Sequence, residues 1–263
     1  MGTAILSGLL KSGFDASVVA VSTNSTASAE KLADELGVMA FAMEDGEDAN
    51  LMAVADADVV LVAVKPAYVV PVLQEVADSL ADDALVISVA AGITSQAMEA
   101  ALPEDVAVIR SMPNMPAVVS RAVTGISAGK RATAEHLKVA HELFATVGTV
   151  VELDESRIDS LSAISGSGPA YVYYLIDQLT AAAKHLGFND HDATTLVNET
   201  FAGAVELLLA SGRTPEELRK QVTSPKGTTE RAIARIEEAD LKTVFAEAVD
   251  AAVERSRELA AGN

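Results

Sequence analysis

Along the first half of the chain, short unbroken runs of apolar, mostly β-branched residues alternate with longer stretches in which apolar residues recur every three or four positions. The runs are "SVVAV" (17–21), "DVVLVAV" (58–64), "ALVISVA" (84–90) and "VAVIR" (106–110). Because apolar and polar residues do not alternate within them, they read as strands covered on both faces, as in a parallel sheet. The periodic stretches over 28–36, 68–80 and 95–101 predict the helices between them. Crossovers in such strand–helix–strand units are right-handed, so the strand C-terminal ends share one edge, where ligands bind in α/β proteins. That edge is formed by residues 21–25, 64–66, 90–92 and 112–114. After "TVVEL" (149–153) the strand pattern stops. The remainder predicts helices over 169–186, 190–210, 215–221, 229–238 and 241–260, with Gly187 and Gly212 as C-caps and Asp190 as an N-cap. The expected architecture is an α/β domain with a mostly parallel sheet over 1–153, followed by an all-α domain over 154–263.

The opening residues, "MGTAILSGLLKSG", read as a helix capped by Gly13. In a dinucleotide-binding α/β domain that helix follows a central strand through G-x-G-x-x-G. Gly2 stands where the last glycine of that fingerprint belongs; the strand and the first two glycines are not in the sequence. The expectation is therefore a late start or a truncated chain, with two unpaired sheet edges and a weakened diphosphate cradle. A plain N-terminal helix starting at Met1 is the alternative. At the end of the next strand, "VSTNST" (21–26) offers hydroxyls and an amide but no carboxylate, which suits an adenosine carrying a 2′-phosphate.

Composition narrows the function classes. The chain has 263 residues, 19 basic against 38 acidic, for a net charge of −19. No basic stripe is visible, which argues against a nucleic-acid partner. There is no Cys and hence no thiolate chemistry or disulfide framework. No apolar run has the length of a membrane span and no signal peptide is recognisable, so the expected location is the cytoplasm. The histidines, His136, His141, His185 and His191, form no metal-ligand spacing, and no metal is expected. Nor is there a G-x-S-x-G nucleophile elbow. Lys65 closes a strand before Pro66, where it is either a solvated strand-end lysine or a cofactor contact.

Three strings remain. "MPNMP" (112–116) turns the chain just beyond a sheet edge. "SGSGP" (165–169) precedes a long helix, with Pro169 suited to its first turn and Ser167 or Gly168 to its cap. "TSPKGTT" (223–229) offers the hydroxyls of Thr223, Ser224, Thr228 and Thr229 beside free backbone amides at a helix start, an arrangement that binds carboxylates.

Together with "AVKP" and "AAG", and in this order, "IRSMPNMP", "SGSGPAYVYY" and "TSPKGTT" resemble pyrroline-5-carboxylate reductase, over essentially the whole chain. The resemblance implies a Rossmann domain binding NADPH, with NADH also admitted, and C-terminal helices that form a homodimer and then a higher oligomer. It implies hydride transfer to C5 of L-1-pyrroline-5-carboxylate, giving L-proline. Carried over by position, it makes Ser224, Thr228 and Thr229 the substrate loop, Thr229 the hydroxyl on the imine nitrogen, and Glu155 a ligand contact. It makes Gly2, Ser22, Thr23, Asn50, Val64, Lys65, Pro66, Ala91 and Asn114 the cofactor lining. Two positions depart from the family pattern: Lys226 stands where glycine is usual, and Gln221 where Asn is. The competing readings are an inactive dimeric remnant and another two-domain reductase with a catalytic lysine at its interdomain helix, for which 158–186 offers only Lys184.

Overall fold

The computed structural model describes residues 1–46 and 48–260. The chain packs as two compact units, one comprising Met1–Ser167 and the segment from Ala252 onward, the other Gly168–Ala251. In the first unit the elements run α1 (Gly2–Lys11), β1 (Ala20–Thr23), α2 (Thr26–Leu36), β2 (Met39–Ala42), α3 (Ala49–Val54), β3 (Val59–Val62) and α4 (Pro66–Val76). Next come β4 (Leu85–Ser88), α5 (Ser95–Glu99), β5 (Ala107–Met112), β6 (Ala122–Ala128), α6 (Ala134–Ala145), β7 (Gly148–Glu152) and the short α7 (Ile158–Leu161).

Among the described residues the strands form two sheets, β1-β2 and β3-β4-β5-β6-β7. All neighbours run parallel except β5 and β6, which pair antiparallel from Ile109↔Ala128 to Met112↔Gly125. Successive residues of the central strands enter opposite cores. Leu85, Ile87, Ala107 and Ile109 pack with Ile5 of α1 and Phe144 of α6, whereas Val86 and Val108 pack with Val69 and Leu73 of α4 and Met98 of α5. Both faces are covered, which is why these runs are apolar without alternation. Each such aliphatic side chain contributes about 1.5 to 3 kcal/mol by leaving water.

Several elements differ from the sequence reading, each for a local reason. The run at 17–21 predicts a strand, but Ala16–Val18 forms a 3₁₀ turn and β1 starts at Ala20. Asp15 caps that turn by accepting the Ser17 N–H at 2.9 Å. The same bond, with one from the Ser17 hydroxyl, holds the Asp15 carboxyl below its ordinary value. β6 and α6 fall where no element is foreseen. β6 is obscured by Gly125, where a Cβ would lie 2.8 Å from Leu161 of α7; its absence lets α7 lie against the strand.

The second unit contains α8 (Gly168–His185), α9 (Asp190–Ser211), α10 (Pro215–Gln221), α11 (Thr228–Glu237) and most of α12 (Leu241–Ala260), close to the predicted spans. The N-cap of α9 is Asn189, not Asp190: the Asn189 side chain accepts the Asp192 N–H at 2.9 Å. Asp190 instead bonds Lys184 at 2.7 Å, and that ammonium lowers its pKa. No cap forms at Ser167 or Gly168 either. Ser167 is itself helical (φ −83, ψ −23) and follows a π-helical stretch over Ser162–Gly166, so it lacks the extended backbone of an N-cap. No residue of α8 is buried, and Tyr173, Tyr174, Leu207 and Leu209 are exposed on α8 and α9.

Candidate active site

The residues expected at the nucleotide edge follow the C-terminal ends of their strands. Ser22 and Thr23 close β1, and the Thr23 hydroxyl donates to the Ser25 carbonyl at 2.9 Å. Val64 and Lys65 follow β3, and Pro66 starts α4 with no side chain capping it; Pro66 has no N–H and the Tyr68 N–H bonds the Lys65 carbonyl at 2.9 Å, which leaves the Ala67 N–H for a ligand. Ala91 follows β4 and precedes Gly92, whose φ of +78 favours glycine. Gly2 lies at the start of α1, where an added Cβ would come within 3.0 Å of the Ala63 Cβ, the close helix–strand approach expected of a fingerprint glycine.

Two of the expected cofactor residues have their side chains engaged by the protein. Asn114 is buried; its Nδ2 donates to the Ser165 carbonyl at 2.9 Å and its Oδ1 accepts the Val123 N–H at 2.9 Å. It therefore ties the turn after β5 to β6 and to the π-helical stretch. Asn50 of α3 donates to the Glu75 carboxylate of α4 at 3.0 and 3.3 Å, joining the helix over β1 to the helix over β3.

Glu155 has the densest environment. Its carboxylate accepts the Ser95 N–H at 2.7 Å and the Ser95 hydroxyl at 2.6 Å, and lies 3.4 Å from Nη1 of Arg110. Nη2 of Arg110 binds Asp159 at 2.9 Å, and Asp159 also accepts the Ser256 hydroxyl at 3.3 Å. Arg110 projects from β5 and is 4% exposed. The strand pattern ends near the boundary drawn at 153, yet the compact unit continues to Ser167, because this cluster binds 155–159 back to the sheet. Sequence reading missed Arg110; the signal was a cation inside an otherwise apolar strand run, which a buried ion pair explains.

In the second unit, "TSPKGTT" connects α10 to α11. The Gly227 N–H bonds the Ser224 carbonyl at 3.0 Å, and the Thr223 hydroxyl bonds the Arg219 carbonyl at 2.6 Å. Gly227 caps α11 without a side chain. Ser224, Thr228 and Thr229 make no side-chain hydrogen bond among the described residues. Three hydroxyls and the first-turn amides of α11 are thus available to an anion. Lys226 has φ +60, a left-handed conformation, and its N–H donates to Glu230 at 2.7 Å. Lys226→Gly is expected to raise stability by about 0.5 to 1 kcal/mol, the relief of a strained L-residue less glycine's extra freedom when unfolded. Urea unfolding at fixed protein concentration checks this; an unchanged or lower midpoint would show the turn is unstrained.

A family description, "Pyrroline-5-carboxylate reductase dimerisation", matches residues 155–259, and another, "NADP oxidoreductase coenzyme F420-dependent", matches residues 1–92. The chain is 37% identical to the pyrroline-5-carboxylate reductase of Pseudomonas aeruginosa over 261 residues, covering 99% of this chain and 93% of that one. The chain belongs to the pyrroline-5-carboxylate reductase family. A solved pyrroline-5-carboxylate reductase from Coxiella burnetii superposes with a TM-score of 0.91 at 34% identity, covering 98% of this chain and 94% of that one. The Plasmodium falciparum pyrroline carboxylate reductase, solved with NADP bound, gives 0.84 at 25% identity over 99% and 94% of the two chains.

Membership makes this chain an oxidoreductase with an NADP(H)-type nucleotide domain ahead of dimerisation helices. The exposed apolar residues of α8 and α9 fall inside the region matched as the reductase dimerisation domain, which supports a homo-oligomer. No helix among the described residues is long and apolar enough to cross a membrane. Among them, too, no group of three or more metal-ligating side chains occurs.

Proposed function

We propose that this chain reduces L-1-pyrroline-5-carboxylate to L-proline with NADPH, or with NADH, and that the loop at 223–229 holds the substrate. The observation carrying this reading is that Ser224, Thr228 and Thr229 keep their hydroxyls unengaged at an uncapped helix start. A helix N-terminus with hydroxyls beside it is the donor set a small carboxylate needs. Ser224, Thr228 and the amides of α11 bind the substrate carboxylate. Thr229, on the first turn and half-buried, directs its hydroxyl to the ring nitrogen.

A protonated imine is already electrophilic at C5, so the protein needs no nucleophile or strong acid. It must hold the ring face and exclude alternatives, which is catalysis by positioning. The nicotinamide supplies the hydride when bound. This chain's residues fit such a cofactor at the strand ends: the uncapped start of α4 after Lys65, the glycine conformation after Ala91, and the close approach at Gly2. Asn114 serves by fixing the turn after β5, Asn50 by joining α3 to α4, and Glu155 by holding the segment after β7. The reading places dimers in a higher assembly, and the enzyme in the cytoplasm with its reduced cofactor.

The test is steady-state NADPH oxidation by the purified chain on addition of pyrroline-5-carboxylate. Saturable, imine-dependent oxidation with proline as product is expected. Equal oxidation with a pyrroline lacking the carboxylate would overturn the assignment of the 223–229 loop.

A further inference from the structure

The sequence places hydroxyls and no acid at the end of β1, yet the fold delivers two acids there. β2 runs parallel to β1 and ends at Ala42, beside Thr23, so the residues after β2 share the edge with 22–26. Glu44 Oε2 accepts the Thr26 N–H at 3.0 Å and the Thr26 hydroxyl at 3.4 Å. Asp45 Oδ1 lies 2.7 Å from the same hydroxyl. Two further donors of the turn are also engaged: the Thr23 hydroxyl with the Ser25 carbonyl at 2.9 Å, and the Ser28 N–H with Ser25 Oγ at 3.3 Å. No Lys or Arg stands between residues 12 and 30, and Lys31 on α2 pairs with Glu35 at 3.9 Å. Neither Glu44 nor Asp45 has a cation beside it among the described residues.

In a dinucleotide-binding fold the adenosine ribose lies at the end of this strand, where a carboxylate accepts from its hydroxyls. NADPH carries a phosphate at that ribose with a charge of about −1.5 to −2. We propose that Glu44 and Asp45 are specificity residues for the cofactor, weakening the hold on the 2′-phosphate while leaving the free ribose of NADH unopposed. They act in two ways. Their charge repels the phosphate, and they occupy the Thr26 N–H and hydroxyl at the start of α2. The chain therefore uses NADPH less tightly than its neutral counterpart would, and turns over NADH as well. This inference rests on the reading of the strand ends as the nucleotide site.

The experiment is calorimetric titration of the whole chain and of a Glu44→Gln/Asp45→Asn double variant, each with adenosine 2′,5′-bisphosphate and with adenosine 5′-monophosphate. Both amides keep an acceptor oxygen for Thr26, so the turn is preserved. The bisphosphate is expected to bind the variant about tenfold more tightly, and the monophosphate within about twofold, with the bisphosphate gain shrinking as salt is raised. Binding of both nucleotides with the same ratio in the two proteins would overturn the role of Glu44 and Asp45. Binding of neither to either protein would instead remove the nucleotide site from this edge, and the inference with it.

Discussion

Arg110→Met is expected to destabilise the first unit by about 2 to 4 kcal/mol. The guanidinium is 4% exposed on β5 and bonds both Glu155 and Asp159. Breaking a fully buried ion pair by removing one partner costs about 3 to 5 kcal/mol, because the surviving charge is left uncompensated. Here the carboxylates keep side-chain exposures of 28% and 22%, so water relieves part of that cost. Arg110 Nε, buried and without a partner among the described residues, lowers the contribution of the intact cluster further. The decisive comparison is the triple variant Arg110→Met, Glu155→Gln, Asp159→Asn, which removes both charges with the cation. It is expected to be more stable than Arg110→Met alone, because no carboxylate is then left without its cation. Urea unfolding at one protein concentration measures both. A triple variant less stable than the single one would show that the cluster is held by packing and not by charge.

The second large effect is on turnover. Thr229→Ala is expected to lower kcat for the imine by about 10- to 100-fold, the scale of losing one positioning contact. The KM for NADPH is expected to hold, since the loop belongs to the substrate. Thr229→Ser keeps the hydroxyl and is expected to recover most of the loss. Ser224→Ala is expected to act mainly through KM for the imine, as a residue binding ground state and transition state alike. Steady-state kinetics of the three variants separate these outcomes, and full activity of Thr229→Ala would remove the hydroxyl from the mechanism.

The sequence made the helical half legible almost to the residue, because Gly187, Gly212, Pro169 and Pro215 punctuate strongly periodic stretches. The buried strands β3, β4 and β5 were legible for the same kind of reason: apolar runs of strand length between helices. Short elements were not. β2 (Met39–Ala42) and α3 (Ala49–Val54) are too brief to set up a period, and Gly125 interrupts the apolar pattern of β6. The sequence pattern points to Asp190 as the cap where Asn189 provides it, since either side chain suits the position and only the backbone decides. In the candidate site, the loop at 223–229 could be found from its own residues. The Arg110 cluster and the Glu44–Asp45 pair could not, because each joins residues from separate elements: Arg110 to Glu155 and Asp159, Thr26 to the turn after β2.

The central claim is that this chain delivers hydride to C5 of pyrroline-5-carboxylate. The most direct measurement supplies NADPH deuterated at nicotinamide C4, on the transferred face, and analyses the product by mass spectrometry and NMR. The account predicts L-proline carrying a single deuterium at C5, formed in step with cofactor oxidation. Cofactor oxidation without deuterium in proline, or deuterium at another carbon, would contradict it.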